Sequence, residues 1–198
     1  QLTPVRGIPA ERLAIRPYPK GLEETITLSN GWELRLRPVL PEDEPALHAL
    51  VARASPDDLR RRFFQPIREL SHEMAATLTQ IDYHREMALV AVGPGLPGQA
   101  VIYGLVNLNA DPNSDRAEYS IMVDRAMMGL GLGHGLMRRI IDYARARGIG
   151  EIYGEVLQEN QPMLRLNRML GFAVHADPDD PSLKHVVLKL HYIGMSAG

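Results

Sequence analysis

The stretch Met127-Met128-Gly129-Leu130-Gly131-Leu132-Gly133-His134-Gly135 constrains the fold most, because its glycines alternate and a strong helical pattern begins immediately after them. Leu136, Ile140, Ile141 and Ala144 fall on one face of that helix. Upstream, Ala117 to Val123 alternates with period two, with Ala117, Tyr119, Ile121 and Val123 on one side and Glu118, Ser120 and Met122 on the other. The chain is therefore expected to run strand, glycine loop, helix. Amides at a helix start lack intrahelical acceptors, and glycine lets an anion come close to the backbone, so the arrangement predicts a phosphate cradle. The plainer alternative is a turn joining the strand to the helix. Glu118 sits on the strand that leads into the loop.

Two common nucleotide motifs fail on the letters. G-x-G-x-x-G requires glycine where His134 or Leu136 stands, and the Walker pattern lacks its G-K-[ST] ending. The stretch instead resembles motif A of the GNAT superfamily of acyl-CoA-dependent N-acyltransferases, [QR]-x-x-G-x-[GA]. Gly131 and Gly133 match, and Met128 stands where the family usually has Gln or Arg. The resemblance implies an acetyl-CoA pyrophosphate held on the backbone of Met128, Gly129, Leu130, Gly131, Leu132, Gly133 and His134. It also implies a mixed, mainly antiparallel α/β sheet flanked by helices on both faces, and a bulge that splays the Glu118 strand from its neighbour.

Further along, Glu159-Asn160-Gln161-Pro162-Met163-Leu164 opens a helix that closes with Leu170-Gly171-Phe172. This resembles GNAT motif B, which implies that Asn160 and the following helix, including Met163, line the pantetheine channel. The end of the Glu118 strand, Ile121 to Val123, is expected to border the donor as well, with a backbone N–H of Met122 or Val123 meeting the oxyanion. Many relatives place a tyrosine seven residues after the motif B asparagine to protonate the leaving thiolate. Asn167 occupies that position here and cannot do so.

The remaining elements follow from local patterns. Asn30-Gly31 joins Thr25 to Leu28 and Trp32 to Pro38 as a hairpin, in which Leu34-Arg35-Leu36-Arg37 alternates as a half-buried strand would. Pro41-Glu42-Asp43 opens a helix, Ser55-Pro56-Asp57-Asp58 caps a second that ends near Phe64, and Ser71 to Gln80 gives a third. Arg60, Arg61 and Arg62 read as a solvated basic face, although Arg62-Phe63-Phe64 resembles a run in bacterial protein lysine acetyltransferases whose helices border the acceptor groove. Met87 to Val92 and Ala100 to Leu108 are strands, as are Glu151 to Leu157, Ala173 to His175 and Val186 to Leu190.

Prolines at 4, 9, 17 and 19 predict an extended arm over residues 1–24, with a catalytic domain over 25–192 and a tail over 193–198. The arm's Arg12-to-Pro19 string resembles the segment that joins an acyl-CoA-synthetase-like region to a GNAT domain in the same bacterial branch. With no cysteine, disulfide and thiolate chemistry drop out. A net charge of −2 gives no reason to expect nucleic acid or an anionic membrane as partner. No apolar run approaches the ~20 residues of a membrane span, so a cytoplasmic protein is expected. The histidines show no metal-ligand spacing, and no metal is expected.

Transfer to an amine requires the neutral amine, and deprotonating a lysine at neutral pH costs about 4 kcal/mol. A positioned base is therefore useful, and Glu118 is the candidate, acting directly or through one water. Its placement resembles the strand glutamate of relatives with A-E-[FY] before motif A; the alternative is an ordinary surface carboxylate. The expected activity is acetyl transfer from acetyl-CoA to an amine, with a protein lysine favoured by the resemblances to one branch. A small amine or a protein N-terminus as acceptor, and a non-catalytic acyl-CoA sensor, stay open.

Overall fold

The computed structural model describes residues 18–65, 67–113 and 115–190. Along them run β1 (Glu24–Thr27), β2 (Glu33–Pro38), α1 (Glu44–Arg53), α2 (Pro56–Phe63), α3 (His72–Thr79), β3 (Glu86–Val92), β4 (Ile102–Ala110), β5 (Arg116–Val123), α4 (Leu132–Ala146), β6 (Glu151–Leu157), α5 (Gln161–Met169), β7 (Ala173–Ala176) and β8 (Leu183–Lys189). The strands form one sheet in the order β1-β2-β3-β4-β5-β6-β8-β7. Only β5 and β6 pair in parallel. This is the mixed, mainly antiparallel sheet expected from the sequence.

Local chemistry fixes the elements. Gly31, at φ 86°, closes the first hairpin, where the Leu28 amide donates to the Trp32 carbonyl at 2.7 Å. Ser55 Oγ accepts from the Asp58 amide and Ser71 Oγ from the Met74 amide, each at 3.1 Å, so α2 and α3 start where their serines stand. Alternation along β3 then sends Met87, Leu89 and Ala91 to one core and Ala88, Val90 and Val92 to another. The first core lies under α4 and α5 and holds Leu136, Ile140 and Leu164; the second lies under α1 to α3 and holds Leu47, Leu50 and Leu59. Both faces of the sheet are thus covered, so its middle strands must be apolar on both sides.

Three expectations are corrected. Arg37 is not on a solvated side: it is 5% exposed and forks onto Asp43, 1% exposed, with both nitrogen–oxygen distances at 2.7 Å. Asp43 Oδ2 also accepts from the Leu40 amide at 2.8 Å, so the buried pair has the extra partner such a pair needs. The strand expected from Ala100 begins at Ile102 and continues to Ala110. No bulge interrupts β5 against β4, whose register runs unbroken from Gly104↔Val123 to Ala110↔Ala117; the register shift falls instead between β3 and β4, at Ala91/Val92.

β5 and β6 part nonetheless. Their ladder covers only Arg116↔Glu151, Ala117↔Ile152 and Glu118↔Tyr153, after which β6 continues against β8 as far as Leu157. The Tyr119 ring lies over Gly154, where a Cβ would come within 2.6 Å of it, and meets Phe172 edge-on with centroids 5.6 Å apart. An aromatic ring thus fills the base of the parting.

The expected tail and residues 1–17 of the expected arm fall outside the described residues. Of the arm, Lys20–Leu22 form a turn of 3-10 helix and the Tyr18 hydroxyl donates to the Pro38 carbonyl at 3.2 Å, so its end packs on β2. No described helix is long and apolar enough to cross a membrane.

Candidate active site

The glycine loop divides its four glycines among three tasks. Gly129 and Gly131 have φ of 76° and 88°, and a Cβ on either would meet nothing within 4 Å, so glycine is required there by conformation rather than by space. A Cβ on Gly135 would lie 2.2 Å from Ile26, so this position serves the packing of β1 on α4. Gly133 faces the gap between β5 and α5, where a Cβ would touch Leu166 at 3.5 Å and Val123 at 3.9 Å. The loop is pinned from outside by the Ser29 amide, which donates to the Leu130 carbonyl at 3.0 Å.

This geometry leaves amides free. Those of Gly129, Gly131, Leu132, Gly133 and His134 have no acceptor among the described residues. The expectation that every amide from Met128 to His134 is available is narrowed, because Met128 donates to Arg125 at 3.2 Å and Leu130 to Met127 at 3.4 Å. Four of the free amides, from Gly131 to His134, lie at the N-cap and first turn of a fifteen-residue helix, where the helix dipole adds to their attraction for an anion, and Gly129 lies two residues before the cap. Met128 itself is exposed and His134 half-buried, while the Leu132 side chain is fully in the core.

The strand end is sorted by the ladder. Asp124 donates to the Tyr103 carbonyl at 2.8 Å, and antiparallel alternation from that pair directs the Met122 amide to Leu105 on β4. The Met122 side chain lies in the second core. The sequence expectation for Met122 therefore does not fit, and the amides of Ile121 and Val123 are the ones turned toward the parting with β6.

Beyond the parting lies a cleft of about 320 Å³ lined by Glu118, Ile121, Glu155, Asn160, Met163 and the end of α2. It brings together four residues marked from the sequence as site candidates: Glu118, Ile121, Asn160 and Met163. Asn160 Oδ1 also accepts from the Met163 amide at 3.4 Å, so one residue both caps α5 and borders the cleft. Asn167 is elsewhere: fully buried, it accepts from the Tyr119 hydroxyl at 2.7 Å and donates to the Met163 carbonyl at 2.8 Å. It is a structural bracket between β5 and α5.

The end of α2 lines the cleft, where the resemblance of Arg62-Phe63-Phe64 points, while the reading of its basic run as a solvated face is corrected. Arg62 does not join a solvated face; it lines the cleft, reaching Asn107 Oδ1 at 3.5 Å, and burial pushes its pKa down to about 10. Arg60 pairs instead with Glu159 at the head of α5, and Asp58 accepts from Arg125 at 2.8 Å, so α2 is tied across the site. Glu155 was missed, although the period of β6 puts it on the same side as Tyr153, the partner of Glu118. Burial raises the Glu118 pKa above the ordinary carboxylate range; Glu155 and Asp111 raise it further, while Arg62 opposes them. A carboxylate with a raised pKa beside free strand-end amides is suited to taking a proton while an adjacent oxyanion forms.

Comparison with known proteins gives this geometry its family. The acetyltransferase (GNAT) domain family matches residues 33–173. The chain belongs to the GNAT acetyltransferases. It is 32% identical over 154 residues to an acetyltransferase of Pseudomonas aeruginosa, covering 78% of this chain and 82% of that one. Its fold is similar to the GNAT domain of S. lividans PAT, with a TM-score of 0.78 and 25% identity over 87% of this chain and 99% of that one. RimL, a ribosomal L7/L12 α-N-protein acetyltransferase solved with coenzyme A, shares the fold at a TM-score of 0.65 and 17% identity, covering 84% and 98%. As a member of the family the protein is an acyltransferase, and GNAT acetyltransferases use acetyl-CoA or CoA.

Proposed function

We propose that this enzyme transfers the acetyl group of acetyl-CoA to lysine side chains of proteins, by direct attack and with Glu118 as the base. The parting of β5 from β6 just past Glu118 carries the reading, because it joins a row of free amides to a cleft with a carboxylate in it. In this scheme the amides of Gly129, Gly131, Leu132, Gly133 and His134 hold the pyrophosphate, with Met128 and Leu130 shaping the loop. Ile121, Val123, Asn160 and Met163 border the pantetheine arm. No described residue other than the free amides is needed for the phosphates, which fits a loop lacking the family's usual Gln or Arg.

Glu118 takes the proton from the lysine ammonium, and the neutral nitrogen attacks the thioester carbonyl. A C–N bond forms and the Val123 amide meets the oxyanion; the attacking nitrogen then loses its second proton to solvent water, the C–S bond breaks and CoA leaves as thiolate. Asn167 gives that thiolate no proton, since its side chain is committed to Tyr119 and Met163. The paired carboxylates Glu118 and Glu155 favour a cationic acceptor, and the likeness to S. lividans PAT favours a protein. The same reading keeps residues 25–192 as the catalytic domain and puts the enzyme in the cytoplasm, which the lack of cysteine suits.

The test is to incubate the purified chain with acetyl-CoA and a set of bacterial proteins, following CoA release and mapping acetylated residues by mass spectrometry. Release matched by acetyl-lysine on a discrete set of proteins is expected. Acetylation confined to N-termini or to small amines would overturn the lysine assignment.

A further inference from the structure

Phe63 and Phe64 are consecutive and both border the cleft that holds Glu118, but only Phe63 also packs on a core. Phe63 packs against the core beneath α1 to α3, with the Arg62 guanidinium 4.8 Å above its ring. Phe64 is 44% exposed and lines the cleft that holds Glu118. Its backbone has φ 58° and ψ 15°, making it the one non-glycine residue with positive φ among those described. Helices often end in this conformation, but the residue adopting it is usually glycine, because a Cβ crowds the neighbouring carbonyl. The neighbours hold the strained turn in place. The Phe64 amide donates to Arg60 at 2.8 Å, Arg60 is paired to Glu159, and Asp58 to Arg125. Glycine would suit this backbone better and the ring has no place in either core, so a use for the ring is to be sought in the cleft.

We propose that Phe64 is a specificity-determining residue for the acceptor: its ring is the wall along which the methylene stem of the incoming lysine lies while the nitrogen reaches Glu118. The inference rests on the lysine reading above. A lysine side chain is an apolar stem with a charged tip, and this cleft offers an aromatic ring for the one and the carboxylates of Glu118 and Glu155 for the other. A shorter amine would leave the ring uncovered.

The experiment compares two peptides that differ only in the acceptor residue, lysine or the two-methylene-shorter diaminobutyrate, with wild type and Phe64→Gly. Covering roughly 55 Å² of ring corresponds to about a tenfold effect, so Phe64→Gly should raise the KM for the lysine peptide about tenfold and erase the preference for lysine. Acetyl-CoA affinity should be unchanged. The melting temperature should stay within about 3 °C, because relief of the left-handed backbone offsets the lost ring contacts. Phe64→Leu, which keeps an apolar wall, should retain most of the preference. A Phe64→Gly enzyme with wild-type KM and preference would overturn the assignment of Phe64 and leave the lysine reading standing, as would a lowered melting temperature with unchanged KM. Wild type that acetylates neither peptide would overturn both.

Discussion

The proposed pyrophosphate cradle and the proposed reaction cleft lie at either end of one stretch of β5, yet they are made of different material. The cradle is backbone: five free amides within a few residues of one another, shaped by two glycines with positive φ. The cleft is made of side chains contributed by α2, β4, β5, β6 and the start of α5. A backbone site depends on conformation and is lost by substitutions that forbid the conformation. A side-chain site depends on charge and packing and is lost by substitutions that keep the backbone. Variants on the two sides should therefore separate donor binding from turnover.

The largest separation is expected at Glu118. Glu118→Gln should lower kcat by about 10²–10⁴-fold with acetyl-CoA affinity unchanged, measured by steady-state kinetics beside calorimetry. Equal loss of both would merge the two regions into one. Gly131→Val should do the converse. A β-branched residue at φ 88° distorts the loop, and acetyl-CoA affinity should fall about 30-fold or more while the melting temperature changes little. Unchanged binding would remove the cradle from the account.

A smaller effect is expected in the pH profile. Glu118 must be ionised to act as the base, and its pKa is raised by burial and by Glu155 and Asp111, so kcat/KM should fall as pH drops through a value above that of an ordinary glutamate. Arg62→Met removes the opposing positive charge, so the acid limb should move to higher pH; movement to lower pH would mean that Arg62 does not act on Glu118. The smallest catalytic effect belongs to Tyr119→Phe. It leaves Asn167 Oδ1 buried without a donor, which should cost about 1–3 kcal/mol in a denaturant melt and change kcat less than about twofold. A large fall in kcat with stability intact would put Tyr119 in the chemistry.

The same contrast explains what the sequence revealed. Gly129 and Gly131 announce a cradle because few other structural needs put glycines at that spacing before a helix, and the conformation they allow is local. Even so, Gly135 looked like a fourth member of the group and serves the packing of Ile26, a contact over 109 residues that no pattern carries. The strand of Glu118 was legible through its period of two, while the site role of Asn160 came only from the resemblance to motif B. For Arg62 the composition of its run misled, because a basic run on a short helix reads as solvated unless the β4 floor beneath it is known, and only the resemblance of Arg62-Phe63-Phe64 pointed to a groove. Arg37 was misjudged for a related reason: alternation puts it opposite Leu36, but that side of β2 is closed by Asp43 at the entrance to α1. Met122 could be separated from Val123 only once the β4 register was fixed.

The most direct test is to titrate acetyl-CoA into the nitrogen-labelled chain and follow its amide resonances. The account predicts that the largest shifts fall on Gly129, Gly131, Leu132, Gly133 and His134, with Ile121 and Val123 following and Met122 nearly still. Shifts centred instead on the groove between β1 and α4, at Thr25, Ile26 and Arg138, would contradict it.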